Sequence, residues 1–239
     1  DVQACFREFP IRRNIIIFPL KRVQDAGLGT RVLEKLPPEL EQRFLREVEW
    51  FAKLAGKCGF HGVELFNEPF LWRVKKGPDQ GRPTMPPELV AHLYKLAYPV
   101  LKKHAPFLTV YGPCTANSEP VREYNERFLK AGGAEGIDVF SFHSYNGDAD
   151  LEKVAEQNES IRKMANAAKP GLPICNTEVY YGVRRHRRFF DDMESRKSYC
   201  KDSERELAAA YAAFYANSIV SSTPFSLFAP EFCIGGVPG

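Results

Sequence analysis

Gly62-Val-Glu-Leu-Phe-Asn-Glu-Pro69 is a short, mostly apolar run that stops at a carboxylate and a proline. A second run of the same kind, Leu172-Pro-Ile-Cys-Asn-Thr177, is closed by Glu178. Nearly continuous apolar runs of this length are expected of strands buried on both faces of a parallel sheet. In a barrel of parallel strands the C-terminal ends converge on one mouth, so carboxylates far apart in sequence can face one substrate.

Further runs of this type are Asn14 to Pro19, Leu108 to Gly112, Ile137 to Tyr145 and Pro224 to Ala229. Between them lie stretches with a 3.6-residue apolar period: Glu39 to Lys57, Pro87 to His104, Glu119 to Ala131, Leu151 to Ala168 and Ser203 to Val220. Strand–helix alternation predicts an α/β architecture with right-handed crossovers. Six strands and five helices fall short of a complete (β/α)8 TIM barrel. Residues 1–239 read as one domain, with no internal repeat and no linker.

The 239 residues, 44% hydrophobic and 26% charged, suffice for one substantial core. No apolar run approaches the ~20 residues of a membrane span, and the charges of Arg7, Glu8, Arg12 and Arg13 interrupt any signal-peptide pattern near the start. Cys5, Cys58, Cys114, Cys175, Cys200 and Cys233 form no CxxC pair and no zinc spacing; they fit either core thiols or disulfides. Asn158-Glu-Ser160 is a glycosylation sequon that favours a secretory route.

Strand alternation predicts that Glu64, Phe66 and Glu68 share one side, as do Ser141, His143 and Tyr145, and Ile174, Asn176 and Glu178. One carboxylic acid to protonate a leaving oxygen and one carboxylate to attack a sugar are what retaining hydrolysis of a glycosidic bond needs, at a carboxyl separation of about 5–5.5 Å. The reaction calls on no cofactor and no metal.

Glu64-Leu-Phe-Asn-Glu-Pro69, Phe140-Ser-Phe-His-Ser-Tyr145 and Asn176-Thr-Glu178 resemble the strand-four, strand-six and strand-seven signatures of the clan A retaining glycosidases, in particular the β-xylosidase and α-L-iduronidase family and its endo-acting relatives. The resemblance runs from about Glu41 to about Ala229 and implies a TIM barrel represented by strands three to eight, with a segment missing at its N-terminal side. It implies Glu68 as general acid/base, Glu178 as nucleophile, Asn67 as a hydrogen-bond partner of the sugar 2-hydroxyl, and His143 and Tyr145 as supports for the carboxylates. The expected location, with the sequon, is secreted or lysosomal/extracellular. Two family features have no counterpart: the arginine of strand two, and the tryptophan ending strand eight, whose place falls to Phe225 or Phe228.

Phe70 to Pro86 carries Arg73, Lys75, Lys76 and Arg82 against Asp79, and Gly182 to Lys201 carries seven cations, Arg184, Arg185, Arg187 and Arg188 among them, against three anions. The whole chain is only +3, so positive charge gathers in these two segments. The concentration would attract an acidic glycan. Trp72, Tyr180 and Tyr181 would stack on pyranose rings there, or pin the loops. Two other readings stay open: a carbohydrate-binding barrel without catalysis, and, ranked last for want of any accompanying motif, a nucleic-acid binder.

Overall fold

The computed structural model describes residues 14–17, 31–116, 118–146, 151–181 and 222–224. The predicted helix Ser203 to Val220, the basic segment Gly182 to Lys201, Phe225 and Phe228 lie outside the described residues, as do Cys5, Cys200 and Cys233.

Through β5, strands and helices alternate as the apolar periodicity predicts: β1 (Asn14–Ile16), α1 (Pro38–Cys58), β2 (Gly62–Glu64), α2 (Pro87–His104), β3 (Thr109–Ala116), α3 (Glu119–Lys130), β4 (Val139–Asn146), α4 (Leu151–Ala168) and β5 (Ile174–Tyr181); β6 (Ser222–Pro224) meets the expected strand Pro224 to Ala229 at Pro224 alone, and the rest of that strand lies outside the described residues. Short 3-10 turns occupy Pro69–Leu71 and Gly133–Gly136. The chain divides into two compact units, Asp1–Thr115 with Glu123–Phe140, and Ala116–Arg122 with Ser141–Gly239.

In the first unit β1, β2 and β3 are parallel neighbours in that order, with Ile15 opposite Val63 and Val63 opposite Val110. The helices cover the sheet because each has one apolar stripe. α1 buries Phe44, Val48, Phe51, Ala52 and Ala55, and stops where Gly59 takes a left-handed conformation (φ 68°) and donates its N–H to the Ala55 carbonyl. α2 buries Leu89, Val90, Leu93, Tyr94, Ala97 and Leu101. Gly136 is a glycine because α2 lies against it: a Cβ there would stand 2.6 Å from the Tyr94 carbonyl carbon.

Asp138 ties the start of β4 to this unit. It accepts hydrogen bonds from Tyr98 Oη at 2.8 Å, Lys102 Nζ at 2.6 Å and the Val110 N–H at 2.8 Å. Burial acts to raise its pKa, but the three donors outweigh burial and hold the carboxyl below its ordinary value, while burial and the neighbouring Asp138 push the Tyr98 phenol up to about 12.

In the second unit β4, β5 and β6 follow in order, with β5 and β6 parallel. α4 buries Asn158, Ile161 and Ala165. Asn158 is therefore no surface acceptor for a glycan, and the sequon loses its value as a sign of secretion. Its amide oxygen and nitrogen are both buried without a hydrogen-bond partner. Cys114 and Cys175 are buried, as the core reading expects, whereas Cys58 is exposed.

Two stability measurements check these assignments. Asp138→Asn should lower unfolding free energy at pH 7 by about 1–3 kcal/mol. A carboxyl depressed on folding stabilises above its ordinary value of 3.8 and loses that contribution as pH falls, so the gap between wild type and variant should close below about pH 4; a gap independent of pH would refute the ionised bracket. Asn158→Leu, which removes two unsatisfied polar atoms at similar volume, should raise the midpoint of denaturant unfolding; a drop of more than about 1 kcal/mol would show that the amide has partners after all.

Candidate active site

β2 ends at Glu64, short of Asn67, to which the apolar run would carry the strand. The expected alternation therefore does not carry through Phe66 to Glu68: beyond Glu64 the backbone bends, and Glu68 adopts φ 45°, ψ 54°. This left-handed conformation is doubly disfavoured, by the side chain itself and by Pro69, which pushes its predecessor toward extended geometry. Glu68 and Cys114 (φ 57°) are the two non-glycine residues with positive φ among the described residues. They are joined: the Glu68 N–H donates to the Cys114 carbonyl at 3.0 Å. The Glu68 carbonyl in turn accepts the Leu71 N–H at 2.9 Å, fixing the 3-10 turn that follows. Strain of this kind persists where surroundings over-determine it, and it clusters at functional sites.

The side chains of Asn67 and Glu68 are half-buried. Asn67 Oδ1 is buried and receives no hydrogen bond, an acceptor held ready for a donor such as a hydroxyl. Glu64, the last residue of β2, is buried, with Oε1 likewise without a partner.

Phe70 to Pro86 forms a hairpin wall beside this turn. Arg73 bridges Pro83 in antiparallel fashion, the Val74 N–H donates to the Arg82 carbonyl at 2.9 Å, and the Gly81 N–H donates to the Val74 carbonyl at 2.9 Å. Trp72 is half-buried, its ring edge-on to Phe66 with centroids 6.2 Å apart, while its carbonyl accepts the Thr84 N–H at 2.5 Å. These contacts hold Trp72 in place within the hairpin. Arg73 Nη1 donates to the Gly81 carbonyl and Arg82 Nη1 to Asp79, each at 2.5 Å, so two of the four cations brace the hairpin itself. Lys75 and Lys76 are exposed.

In the second unit His143 is fully buried on β4 between buried Ser144 and Phe142, and Tyr145 follows it as a backbone position of the same strand. Asn176 is buried on β5. Glu178, Tyr180 and Tyr181 are also positions of β5, which corrects the placement of the two tyrosines in a loop. The pairing of β5 with β6 slips by one residue between Asn176 and Val179, the interval that contains Glu178. Such bulges recur beside active sites, where they re-aim a side chain. Phe228 lies outside the described residues. Among the described residues no cluster of His, Cys, Asp and Glu could hold a metal ion, and no helix is long and apolar enough to cross a membrane.

Sequence reasoning missed Tyr94, Cys114, Thr115 and Asn125. Tyr94 reads as one more member of an apolar helical stripe, yet its hydroxyl reaches the backbone of Leu65. Thr115 Oγ1 donates to Asn125 Oδ1, both buried, at the end of β3.

No family model and no curated protein sequence matches the chain. Solved structures do. A family 39 glycoside hydrolase from the gut symbiont Bacteroides cellulosilyticus WH2 superposes with a TM-score of 0.60 at 17% identity, over 94% of this chain and 45% of its own. A glucosidase from Croceicoccus marinus gives 0.61 at 16% identity, over 93% and 43%. A xyloglucanase of family 44 from Paenibacillus polymyxa gives 0.52 at 14%, over 76% and 47%. At these identities the shared property is the fold, an α/β barrel, of which the parallel strands and covering helices of this chain form a part. The chain spans less than half the length of the structures it matches.

The strain at Glu68 is open to measurement. Glu68→Gly relieves a left-handed side chain and Glu68→Ala does not, so the glycine variant should unfold at higher denaturant, by about 0.5–1 kcal/mol relative to alanine. The reverse order, which an unstrained site would give, would remove the strain argument.

Proposed function

We propose that the protein is a retaining glycoside hydrolase that cleaves O-glycosidic bonds in a polysaccharide or oligosaccharide, with Glu68 as general acid/base and Glu178 as nucleophile. The observation that carries this reading is the strained, hydrogen-bonded placement of Glu68 beside Asn67, whose buried Oδ1 lacks a donor. The irregular β5–β6 pairing around Glu178 and the barrel shared with known glycosidases support it. On this reading residues 1–239 supply strands three to eight of one catalytic barrel, and further polypeptide supplies the first two βα units.

In the first step Glu178, ionised, attacks the anomeric carbon while Glu68 passes its proton to the departing glycosidic oxygen. A glycosyl ester of Glu178 results. The ester is neutral, so Glu68, now a carboxylate, takes a proton from water as that water attacks, and the sugar leaves with its original configuration. Asn67 Oδ1 accepts from the 2-hydroxyl, a bond that strengthens as charge develops on the ring. Lys75 and Lys76 give the hairpin a positive edge suited to an acidic glycan.

The test begins with turnover of aryl β-xylosides and β-glucosides by the full chain. Glu178→Gly should lower kcat by ~10^4-fold or more. Sodium azide should then restore part of it and yield a glycosyl azide of inverted configuration. In Glu68→Gly, azide should instead give a retained product from a dinitrophenyl glycoside, because the covalent intermediate still forms. Binding of xylan without turnover by the wild type would favour a non-catalytic module; unchanged activity in Glu178→Gly would remove that residue from the mechanism.

A further inference from the structure

Tyr94 is fully buried on α2, and its hydroxyl stands between the two chain segments that place Glu68. On one side it accepts the Leu65 N–H at 3.3 Å, three residues before Glu68. On the other it lies 4.0 Å from Cys114 Sγ, on the residue whose carbonyl receives the Glu68 N–H. β2 has ended at Glu64, so no strand ladder holds Leu65. The phenol takes the ladder's place.

The ring is fixed so that the hydroxyl can do this. Phe66 and Phe128 meet it edge-on, each with centroids 5.8 Å away. A Cβ on Gly112 would fall 2.6 Å from the Tyr94 Cζ, so β3 can pass beneath the ring only with glycine at that position. Burial first, and then the neighbouring Cys114 and Glu64, raise the phenol's pKa well above the ordinary tyrosine value. The hydroxyl keeps its proton at every working pH, and since it accepts from Leu65 that proton is directed elsewhere, with Cys114 Sγ in reach.

We propose that Tyr94 is a positioning residue for the general acid/base: by clamping Leu65 and Cys114 through one hydroxyl it holds the turn that aims Glu68. The inference rests on the role proposed for Glu68 above. Its distinguishing signature is dependence on the leaving group. Glycosides with poor leaving groups need the acid's proton in the rate-limiting step, whereas 2,4-dinitrophenolate departs without it. A displaced Glu68 slows the former and spares the latter, and a general loss of structure slows both.

The experiment compares Tyr94→Phe with Tyr98→Phe, a control on the same helix that loses a hydroxyl bonded to Asp138 instead. For Tyr94→Phe, kcat/KM on a 4-methoxyphenyl glycoside should fall about 10–100-fold, and on the 2,4-dinitrophenyl glycoside less than about 3-fold. Tyr98→Phe should show no such selectivity. Equal losses on both substrates, or none on either, would overturn the positioning role while leaving the glycosidase reading intact. Should Tyr94→Phe not fold, as judged by its melting curve, Cys114→Ala is read in its place. It removes the hydroxyl's sulfur neighbour and keeps the Leu65 bond, so the same selectivity is expected at smaller size, and equal losses on both substrates overturn the proposal.

Turnover of neither glycoside by the wild type would count against the glycosidase reading. Amide hydrogen exchange at Glu68 would then decide the clamp alone. Exchange about 10-fold faster in Tyr94→Phe than in Tyr98→Phe supports it, and equal rates overturn it.

Discussion

One backbone hydrogen bond, from the Glu68 N–H to the Cys114 carbonyl, sets the geometry on which the candidate site depends. Both residues are held left-handed without being glycine, at roughly 1–2 kcal/mol each. Neither conformation would persist alone. Upstream, the parallel pairing of β2 with β3 fixes Gly62 opposite Thr109 and Glu64 opposite Tyr111, so the two strand ends arrive in register. Downstream, Leu71 closes on the Glu68 carbonyl. The bend is thus bounded on both sides, and the one soft stretch, Leu65 to Asn67, is where the Tyr94 hydroxyl enters.

The packing beneath the bend explains why it is stiff. Phe44 stacks on Phe66, Phe66 meets Trp72 and Tyr94 edge-on, and Tyr94 meets Phe128 in the same way. Such contacts add about 0.5–1.5 kcal/mol apiece beyond burial, and they fix ring orientation as well. Room for them comes from missing side chains: a Cβ on Gly133 would stand 2.5 Å from the Phe128 ring, and one on Gly112 would strike Tyr94. The same aromatic row seats the hairpin wall through Trp72. The wall and the Glu68 turn therefore share one support.

The fold was legible because its signals are repeated. Apolar runs and 3.6-residue stripes placed Pro87–His104 and Leu151–Ala168 to the residue and the other described helices to within one, since a two-sided sheet leaves strands no polar face to confuse the pattern. Strand ends were less legible. Leu65 and Phe66 continue the apolar run past Glu64 because they are buried, but burial there comes from the aromatic row rather than from a ladder. The conformation of Glu68 was invisible, because Pro69 argues for extended backbone at that position. The sequon at Asn158 carries no information about burial, and the residue lies on the buried stripe with Ile161 and Ala165. Tyr94 gave no polar signal at all: a tyrosine in an apolar stripe is ordinary, and its hydroxyl's target lies 29 residues away in sequence.

The contacts described at the Glu68 turn and beneath it involve Leu65, Leu71, Tyr94, Gly112, Cys114 and Phe128, all between β2 and the start of β4. Asp138 locks that stretch by joining α2, β3 and the entry to β4. These contacts come from consecutive elements of one unit, so the left-handed turn at Glu68 is held by several neighbours at once rather than by a single isolated bond.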